Sequence, residues 1–562
     1  MAGTTTLALL AALAFFLFYA LAIRTDIYGD ARTILFWDAN DSRRLTGDWL
    51  GRVFSFNLQS DKEALTLLLH RWVARLFHWP IGHTYRILSS IAGAMSLLLW
   101  ALYVRRQFKG SRWAPLLLVA GCLIGSNQLF FGHVETYPLA SLASMAFLLA
   151  GSLALEGGIY LWIAPIAWFA ATRIHPALVY FLPALLFVFA HRFVSRRVTI
   201  RPMPDGKLAM LLAIPFLVAG GIAYFFYFKS YNEPHSGAGR DFAHSFLPII
   251  AGPPPFERYS LQSLNHLGDF LNVLLLIGAP VVVALVGIGI FGRKAIGWHQ
   301  ARIPFAALAL GFSLVFFFAL NPALSMPRDW DLYALLGPPL LLFLTAILAG
   351  SDTRVPSDRV FGMILGFGVF TAASFALNAA PGPLSARLER TGEHVYRSYY
   401  AGSSYIINVA QGMERDTTRA IARRIATIER LAPPRTPDPE YAHLMSRVAD
   451  LFKSRDDLPE AARWMERAVA VSPADDNQAL WLSDYYLRTG RTSDAWQRIN
   501  KILGRDPRNV QALILGAIAS AQTKDFTSAL RYLERAKALA PQNPQIDEWI
   551  AGVRKSLDKP KS

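Results

Sequence analysis

The sequence predicts an all-α protein, in which a polytopic bundle of membrane helices is followed by an α-helical repeat domain. Composition gives the first part of this prediction, because 53% of the 562 residues are apolar and only 17% are charged. Soluble domains are about 45–50% apolar and about 25% charged. The apolar excess lies in long uncharged runs within residues 1–380, whereas the rest of the chain is polar and repeats with a fixed period.

Eleven apolar runs are candidate membrane spans, because about 20 apolar residues in a helix cross the roughly 30 Å hydrocarbon core of a bilayer. The fifth and sixth runs are short and need flanking polar residues to reach both membrane faces. In chain order the predicted spans are 5–23, 87–103, 114–131, 138–155, 159–172, 177–190, 208–228, 270–291, 303–320, 332–349 and 360–379.

Basic residues predict the orientation of these spans. If the N-terminus is cytoplasmic, the inner loops carry fourteen Lys and Arg residues and the opposite short loops carry five. Cytoplasmic loops are the ones enriched in Lys and Arg. We therefore expect a multi-pass protein of a bacterial inner membrane, with a cytoplasmic N-terminus and, after eleven spans, a periplasmic C-terminal domain. Since the loops also account for much of the net charge of +16, nucleic acid is not an expected partner.

Residues 439–562 contain a repeat of 34 residues. Pro473, Pro507 and Pro541 keep this spacing, and an alanine lies twelve residues before each of them. A 34-residue helix-turn-helix period with small residues at helix contacts is the pattern of tetratricopeptide (TPR) repeats. The chain resembles that family over roughly 439–542, with about three repeats, which implies a solenoid whose groove binds a polypeptide. Residues 381–438 are predicted to be a linker or helical connector.

The first candidate site follows the first predicted span. Asp26 and Asp30 are four residues apart, so that on a helix they would share one face. They open a long predicted outer loop, residues 24–86, which also contains the amphipathic stretch 63–77, suited to a helix along the membrane surface. The alternative interpretation is a set of ordinary solvated carboxylates.

The second candidate site is the sequence GHVETYP at residues 132–138. Pro138 suits the first turn of a helix and should keep Tyr137 out of helical geometry. His133 and Glu135 would then be presented by a tight bend, where they suit acid/base chemistry, substrate binding or metal ligation. The alternative is an interfacial bend that Tyr137 anchors among the lipid headgroups.

Two further clusters each contain an arginine. Arg173 and His175 precede Pro176 at a predicted helix start, an arrangement that favours an anion such as a phosphate, although Arg173 could instead be a snorkelling side chain. Arg328 lies beside Asp329 and Asp331, which suits a phosphate contact from the arginine and substrate or metal contacts from the aspartates. The alternative there is a helix cap with Arg328 as its partner.

Residues 1–380 resemble the GT-C superfamily of membrane glycosyltransferases in architecture. The shared features are the acidic motif after the first span, the long first outer loop with a surface helix, the many spans and a soluble outer domain. The resemblance implies inverting transfer of a hexose or pentose from a polyprenyl-phosphate-linked donor to a protein or glycan acceptor on the outer face. It gives the role of general base to Asp30 or else Asp26.

The other candidate residues have roles that fit this chemistry. Arg173, His175 and Arg328 would stabilise the departing lipid phosphate. A divalent cation is a possible cofactor, with Asp30 and Glu135 as possible ligands. Besides the lipid-linked sugar, the expected partners are membrane lipid and a polypeptide at the TPR domain.

Two functions from other classes remain as alternatives. A transporter or flippase of lipid-linked envelope precursors would use the outer clusters as a headgroup gate, but the predicted spans contain almost no ionisable residues at mid-depth. A non-catalytic assembly scaffold would work through its TPR domain, but it would need only one span.

Overall fold

The computed structural model describes residues 13–20, 64–195, 246–250, 258–292, 296–298, 300–321, 325–351, 355–399, 402–431, 437–473 and 475–557. Within these ranges the regular elements are helices, apart from two isolated bridges between single residues. The chain divides into two compact units, Met1–Leu384 and Ser385–Ser562. The predicted all-α fold class is confirmed for this part of the chain.

The first unit is a bundle of apolar helices joined by short turns. Residues 13–20 are also helical, and 3₁₀ turns cover Gly125–Phe130, Pro176–Phe181 and Ala334–Leu336. Its α-helices are α1 (Ala64–Phe77), α2 (Ile81–Gln107), α3 (Trp113–Leu123), α4 (Tyr137–Ala154), α5 (Tyr160–Ile174), α6 (Leu182–Ser195), α7 (Leu264–Phe291), α8 (Arg302–Ala319), α9 (Trp330–Tyr333), α10 (Gly337–Ala349) and α11 (Ser357–Ala379).

Six helical segments of the described residues are long and apolar enough to cross a membrane: α2, α4, α7, α8, α9 to α10 taken together, and α11. They coincide with six of the eleven predicted spans. The shorter apolar segments Trp113–Leu123 and Pro176–Arg192 and the helix α5 lie at three further predicted spans. The predicted span at 208–228 and most of the one at 5–23 lie outside the described residues.

The helix at the predicted span 114–131 is not continuous, because it breaks at Ile124. This residue adopts extended backbone angles, and the chain continues as the 3₁₀ turn Gly125–Phe130. Side chains replace the lost helical hydrogen bonds. The Asn127 amide donates to the carbonyl of Gly121 (2.8 Å), and the Thr371 hydroxyl donates to that of Leu123 (2.9 Å).

Helix α4 lies at the centre of the first unit, where residues 147–155 are all buried. Charged side chains surround its C-terminal end. Arg302 at the start of α8 approaches Glu156 to 2.5 Å, and Gln107 at the end of α2 donates to the same carboxylate at 2.8 Å. Partial burial favours the neutral carboxyl, but the hydrogen bonds from Gln107 and Arg302 outweigh it and lower the pKa of Glu156. We call this end of the bundle the basic end.

The second unit is a helical solenoid. Three antiparallel pairs, each followed by one of the periodic prolines, end in a single helix. The pairs are α15 (Pro439–Lys453) with α16 (Leu458–Val471), α17 (Asp476–Arg488) with α18 (Thr492–Arg505) and α19 (Val510–Gln522) with α20 (Phe526–Leu539), and the final helix is α21 (Pro544–Leu557). The predicted C-terminal repeat fold is confirmed.

The sequence explains where these helices begin and how closely they pack. Asp438, Asp457, Asp475 and Asp525 each accept a hydrogen bond from a backbone N–H of the first helical turn, which stabilises the helix start. The three periodic alanines have no exposed surface, since they stand where the two helices of a pair meet. They are Ala461, Ala495 and Ala529.

The stretch predicted as a connector forms three helices, α12 (Pro381–Ser398), α13 (Ser403–Gln411) and α14 (Thr417–Arg430). Ile407 and Ile428 belong to the same hydrophobic core as the first repeats. The carboxylate of Glu440 accepts hydrogen bonds from the backbone N–H groups of Gly402 (3.0 Å) and Ser404 (2.8 Å), at the start of α13. These helices therefore continue the solenoid core on its N-terminal side.

We predict that Gly125→Ala destabilises the first unit. The added methyl group would lie 1.9 Å from the carbonyl oxygen of Leu276 in α7, and this backbone atom cannot shift as easily as the end of a flexible side chain. Overpacking of this kind lowers the free energy of unfolding by about 1–3 kcal/mol. We therefore expect a lower midpoint of thermal unfolding, measured on the full-length protein in detergent. Gly268→Ala is the matched control, because nothing lies within 4 Å of its Cβ position. Equal midpoints for the two variants would contradict the packing described.

A second prediction concerns the repeat domain. Ala529→Leu places a large side chain at a position with no exposed surface and should cost about 1–3 kcal/mol. Ala538→Leu lies on the exposed side of the same helix, α20, and should leave stability nearly unchanged. Limited proteolysis of the two full-length variants compares the stability of their second units. Faster cleavage of the second unit is expected in Ala529→Leu alone, and identical cleavage would count against the repeat packing.

Candidate functional site

Three of the four candidate clusters lie in the described residues and meet at the end of the bundle opposite the basic end. The loop 131–136 leads into the N-terminus of α4, whose C-terminus is next to Glu156. Eighteen residues at about 1.5 Å each separate the two ends of α4 by roughly 27 Å. We call the end that carries this loop the site end. Asp26 and Asp30 lie outside the described residues.

A hydrogen bond joins two of the candidate clusters at the site end. His133 Nε2 is 2.7 Å from Asp331 Oδ2, although the two residues are 198 positions apart in the sequence. Both side chains are largely buried, with 14% and 7% of their surface exposed. The other carboxylate oxygen, Oδ1, accepts the backbone N–H of Leu332 at 3.0 Å. The Trp330 ring lies 5.7 Å from the imidazole.

The segment 325–331 shows how each member of its cluster is placed. Asp329 is the N-cap residue of α9, but its side chain makes no capping hydrogen bond, and Asp331 lies within the first turn. Asp331 is therefore directed to His133 and not to a helix cap. Arg328 has only 7% of its surface exposed, so this residue is buried within the site end.

The third cluster contacts the loop through an aromatic pair. The rings of Tyr137 and His175 are 5.4 Å apart. His175 ends α5 in an extended conformation and begins the turn Pro176–Phe181, where its Nδ1 accepts the N–H of Ala177 at 3.3 Å. Glu135, in the same loop as His133, is 5% exposed.

One local prediction about these clusters is wrong, and one is confirmed. A helical segment does start at Pro176 with His175 as its N-cap, and Arg173 lies two residues earlier, in the last turn of α5. The wrong prediction concerns Tyr137, which is the first residue of α4, after the N-cap Thr136. The restriction that proline places on its preceding residue is a preference, and here the packed helix start overrides it.

The predicted amphipathic helix is present as α1, and it reaches the same site. The Thr66 hydroxyl donates to the carbonyl of Ile174 at 3.0 Å, next to His175. His70 is buried, stacks on Tyr85 at 3.8 Å and bonds the carbonyl of Thr66 through Nδ1 at 2.8 Å. On the other face of α1, four apolar side chains remain exposed: Leu69, Trp72, Leu76 and Phe77. This division suits a helix that lies at a membrane surface.

Sequence reasoning missed a buried carboxylate, Asp269. The Tyr259 hydroxyl donates to it at 3.0 Å, and both residues are almost fully buried. The apolar run of the sequence starts at residue 270, whereas α7 starts at Leu264, after the N-cap Ser263. A signal was present, because His266 and Asp269 are three residues apart behind a serine suited to capping.

No group of three or more His, Cys, Asp or Glu side chains that could hold a metal ion occurs among the residues that the structure describes. The predicted cation site pairs Glu135 with Asp30, and Asp30 lies outside that part of the chain.

Comparison with known proteins concerns the second unit. Residues 454–536 match the family described as anaphase-promoting complex, cyclosome, subunit 3, which supports the TPR assignment of this domain. Two solved structures of MamA, one of a point mutant and one of MamA AMB-1, are 14% identical, have a TM-score of 0.22, and cover 31% of this chain and 82% of their own. Another crystal form of MamA AMB-1 has 88% of its chain covered. No curated protein matches the chain.

We predict that acid loosens α1 from the site. Burial lowers the pKa of His70 from 6.5 to about 4, although its hydrogen bond to Thr66 acts in the opposite direction. The unpacked helix therefore binds a proton more readily than the packed one. Packing is fully stable above pH about 6.5 and weakens as pH falls toward 4, by about 2 kcal/mol at pH 5.

Hydrogen exchange of residues 64–77 in the full-length protein, corrected for intrinsic rates, measures this effect. His70→Phe keeps a ring on Tyr85 but cannot titrate, so its protection should stay constant between pH 7 and 5. If the wild-type protection is equally constant, the burial of His70 does not govern the packing of α1.

Proposed function

We propose that this protein is a membrane glycosyltransferase that moves a sugar from a polyprenyl-phosphate-linked donor to a protein or glycan acceptor at the outer face of a bacterial inner membrane. One observation carries the proposal. Segments far apart in sequence place His133, Asp331, Tyr137 and His175 together at one end of an apolar bundle. Ionisable groups in such an environment are costly and are retained mainly for function.

The charge distribution supports an outer location for this site. Arg106 and Arg302 both approach Glu156 at the basic end, and Arg105 and Lys109 lie beside them in sequence. Under the positive-inside rule this end faces the cytoplasm. The site end then faces outward, in accord with a cytoplasmic N-terminus.

Cationic side chains at the site end suit a phosphate leaving group. Arg328 and Arg173 supply guanidinium groups, and His175 supplies an imidazole. Preorganised donors in a site that excludes water stabilise developing negative charge better than water does. In this proposal these residues stabilise the leaving polyprenyl phosphate. Asp30 or Asp26 is the acidic residue that the first outer loop contributes.

The second unit supplies the partner function. A TPR solenoid presents an extended surface that binds a polypeptide, and that polypeptide is in our proposal either the acceptor or an envelope partner. In this proposal the chain leaves the membrane at the end of α11. Phe375, near the end of α11, contacts Phe131 with ring centroids 4.2 Å apart, so α11 ends at the site end.

Complementation of a deletion strain tests the proposed activity. We expect Asp30→Asn or Asp26→Asn, and also Arg328→Lys, to abolish one defined sugar in the envelope glycans measured by mass spectrometry. Asp358→Asn is the matched control, because Asp358 is exposed at the start of α11, at the basic end. All variants are compared at equal membrane abundance. If deletion of the whole protein changes no glycan, the transferase proposal is abandoned and transport of lipid-linked precursors is tested instead.

A further inference from the structure

The hydrogen bond between His133 and Asp331 fixes which nitrogen of the imidazole carries a proton. Asp331 accepts at both of its oxygens, from Leu332 N–H at Oδ1 and from His133 at Oδ2. An ionised carboxylate offers only acceptors, so His133 Nε2 must be the donor. The neutral ring then has its lone pair on Nδ1.

Nδ1 of His133 is available to another molecule. It makes no hydrogen bond to any residue in the described part of the chain, and 14% of the side chain is exposed. The ring cannot turn freely, since Asp331 holds one edge and Trp330 lies beside it. A largely buried imidazole with one fixed nitrogen and one open nitrogen has the arrangement required of a general base.

We propose that His133 is the general base of the transfer reaction and that Asp331 is its positioning residue. This inference rests on the proposed function and specifies its acceptor as a hydroxyl group, of a serine, a threonine or a sugar. The resemblance to membrane glycosyltransferases would give this role to Asp30 or Asp26, so the assignment differs from the one that the sequence suggests.

The step is balanced as follows. The acceptor oxygen forms a bond to C1 of the sugar while the bond between C1 and the phosphate oxygen breaks. The electron pair of that bond leaves with the polyprenyl phosphate, and the hydroxyl proton passes to His133 Nδ1. Asp331 then stabilises the imidazolium through the Nε2 hydrogen bond, and the proton is later released to water.

The groups near His133 and Asp331 have roles that fit this reaction. Arg328 lies three residues before Asp331 on one short segment, so a group suited to the leaving phosphate and the residue that holds the base are placed by the same stretch of backbone. Such positioning contributes to the rate of the reaction, because a base acts only within hydrogen-bond reach of the proton that it removes.

Two measurements on the full-length protein test the inference. The first is ¹⁵N NMR of histidine-labelled protein in lipid nanodiscs, with the His133 signals assigned by their loss in His133→Gln. We expect a protonated Nε2 and an unprotonated Nδ1 at neutral pH. Asp331→Asn should lose this single tautomer. A wild-type protein with the proton on Nδ1 would overturn the inference.

The second measurement is the rate at which the missing glycan reappears after induction in the deletion strain, at equal membrane abundance. His133→Gln should slow it by about 10²-fold or more, as expected for removal of a general base, and Asp331→Asn should slow it to a lesser extent. His191→Gln, a histidine of α6 near the basic end, is the control and should match wild type.

The outcomes separate this inference from the function on which it rests. If the deletion removes a glycan and His133→Gln restores it at the wild-type rate, the base is another residue and the transferase proposal stands. If the deletion removes no glycan, the transferase proposal fails, and the role of His133 fails with it.

Discussion

The break between α3 and the turn Gly125–Phe130 is possible only because side chains of the turn itself and of neighbouring helices satisfy the carbonyl groups that it releases. In hydrocarbon, every backbone polar group needs a partner within the protein. Asn127 and Thr371 provide two of these partners, and the Ser89 hydroxyl, from α2, donates to the carbonyl of Leu129 at 2.7 Å. The chain can therefore turn inside the bundle and present His133 at the site end. The site depends on this polar support, and Gly125 allows the turn to approach α7 closely.

The sequence pattern predicted which residues lie at the ends of the bundle better than it predicted the contacts between segments. Runs of apolar residues define helices, and charged residues gather where these helices leave the membrane, so clusters at the site end could be recognised. The pairing of His133 with Asp331 could not, because it joins positions 198 residues apart and depends on how α4 packs against the turns around α9. The same packing explains why Asp269 was missed, since His266 and Asp269 are buried although they lie at the polar start of α7.

The repeat domain shows the opposite balance. A period of 34 residues determines both the helix boundaries and the contacts, because each repeat packs mainly on its neighbours. Helices α12 to α14 do not share this period, and their core includes charge. Glu389 accepts hydrogen bonds from Thr427 and from Arg423, which lower its pKa although burial acts in the opposite direction. A polar stretch that packs through such bonds has the composition of a linker, so the sequence alone did not assign its helices.

The direction of α11 can be read from the contacts near its two ends. Residues near its start contact the basic end, where Arg112 donates to the carbonyl of Val355 at 3.1 Å, and Phe375 near its other end contacts Phe131 beside His133. Helix α11 therefore runs from the basic end to the site end of the first unit.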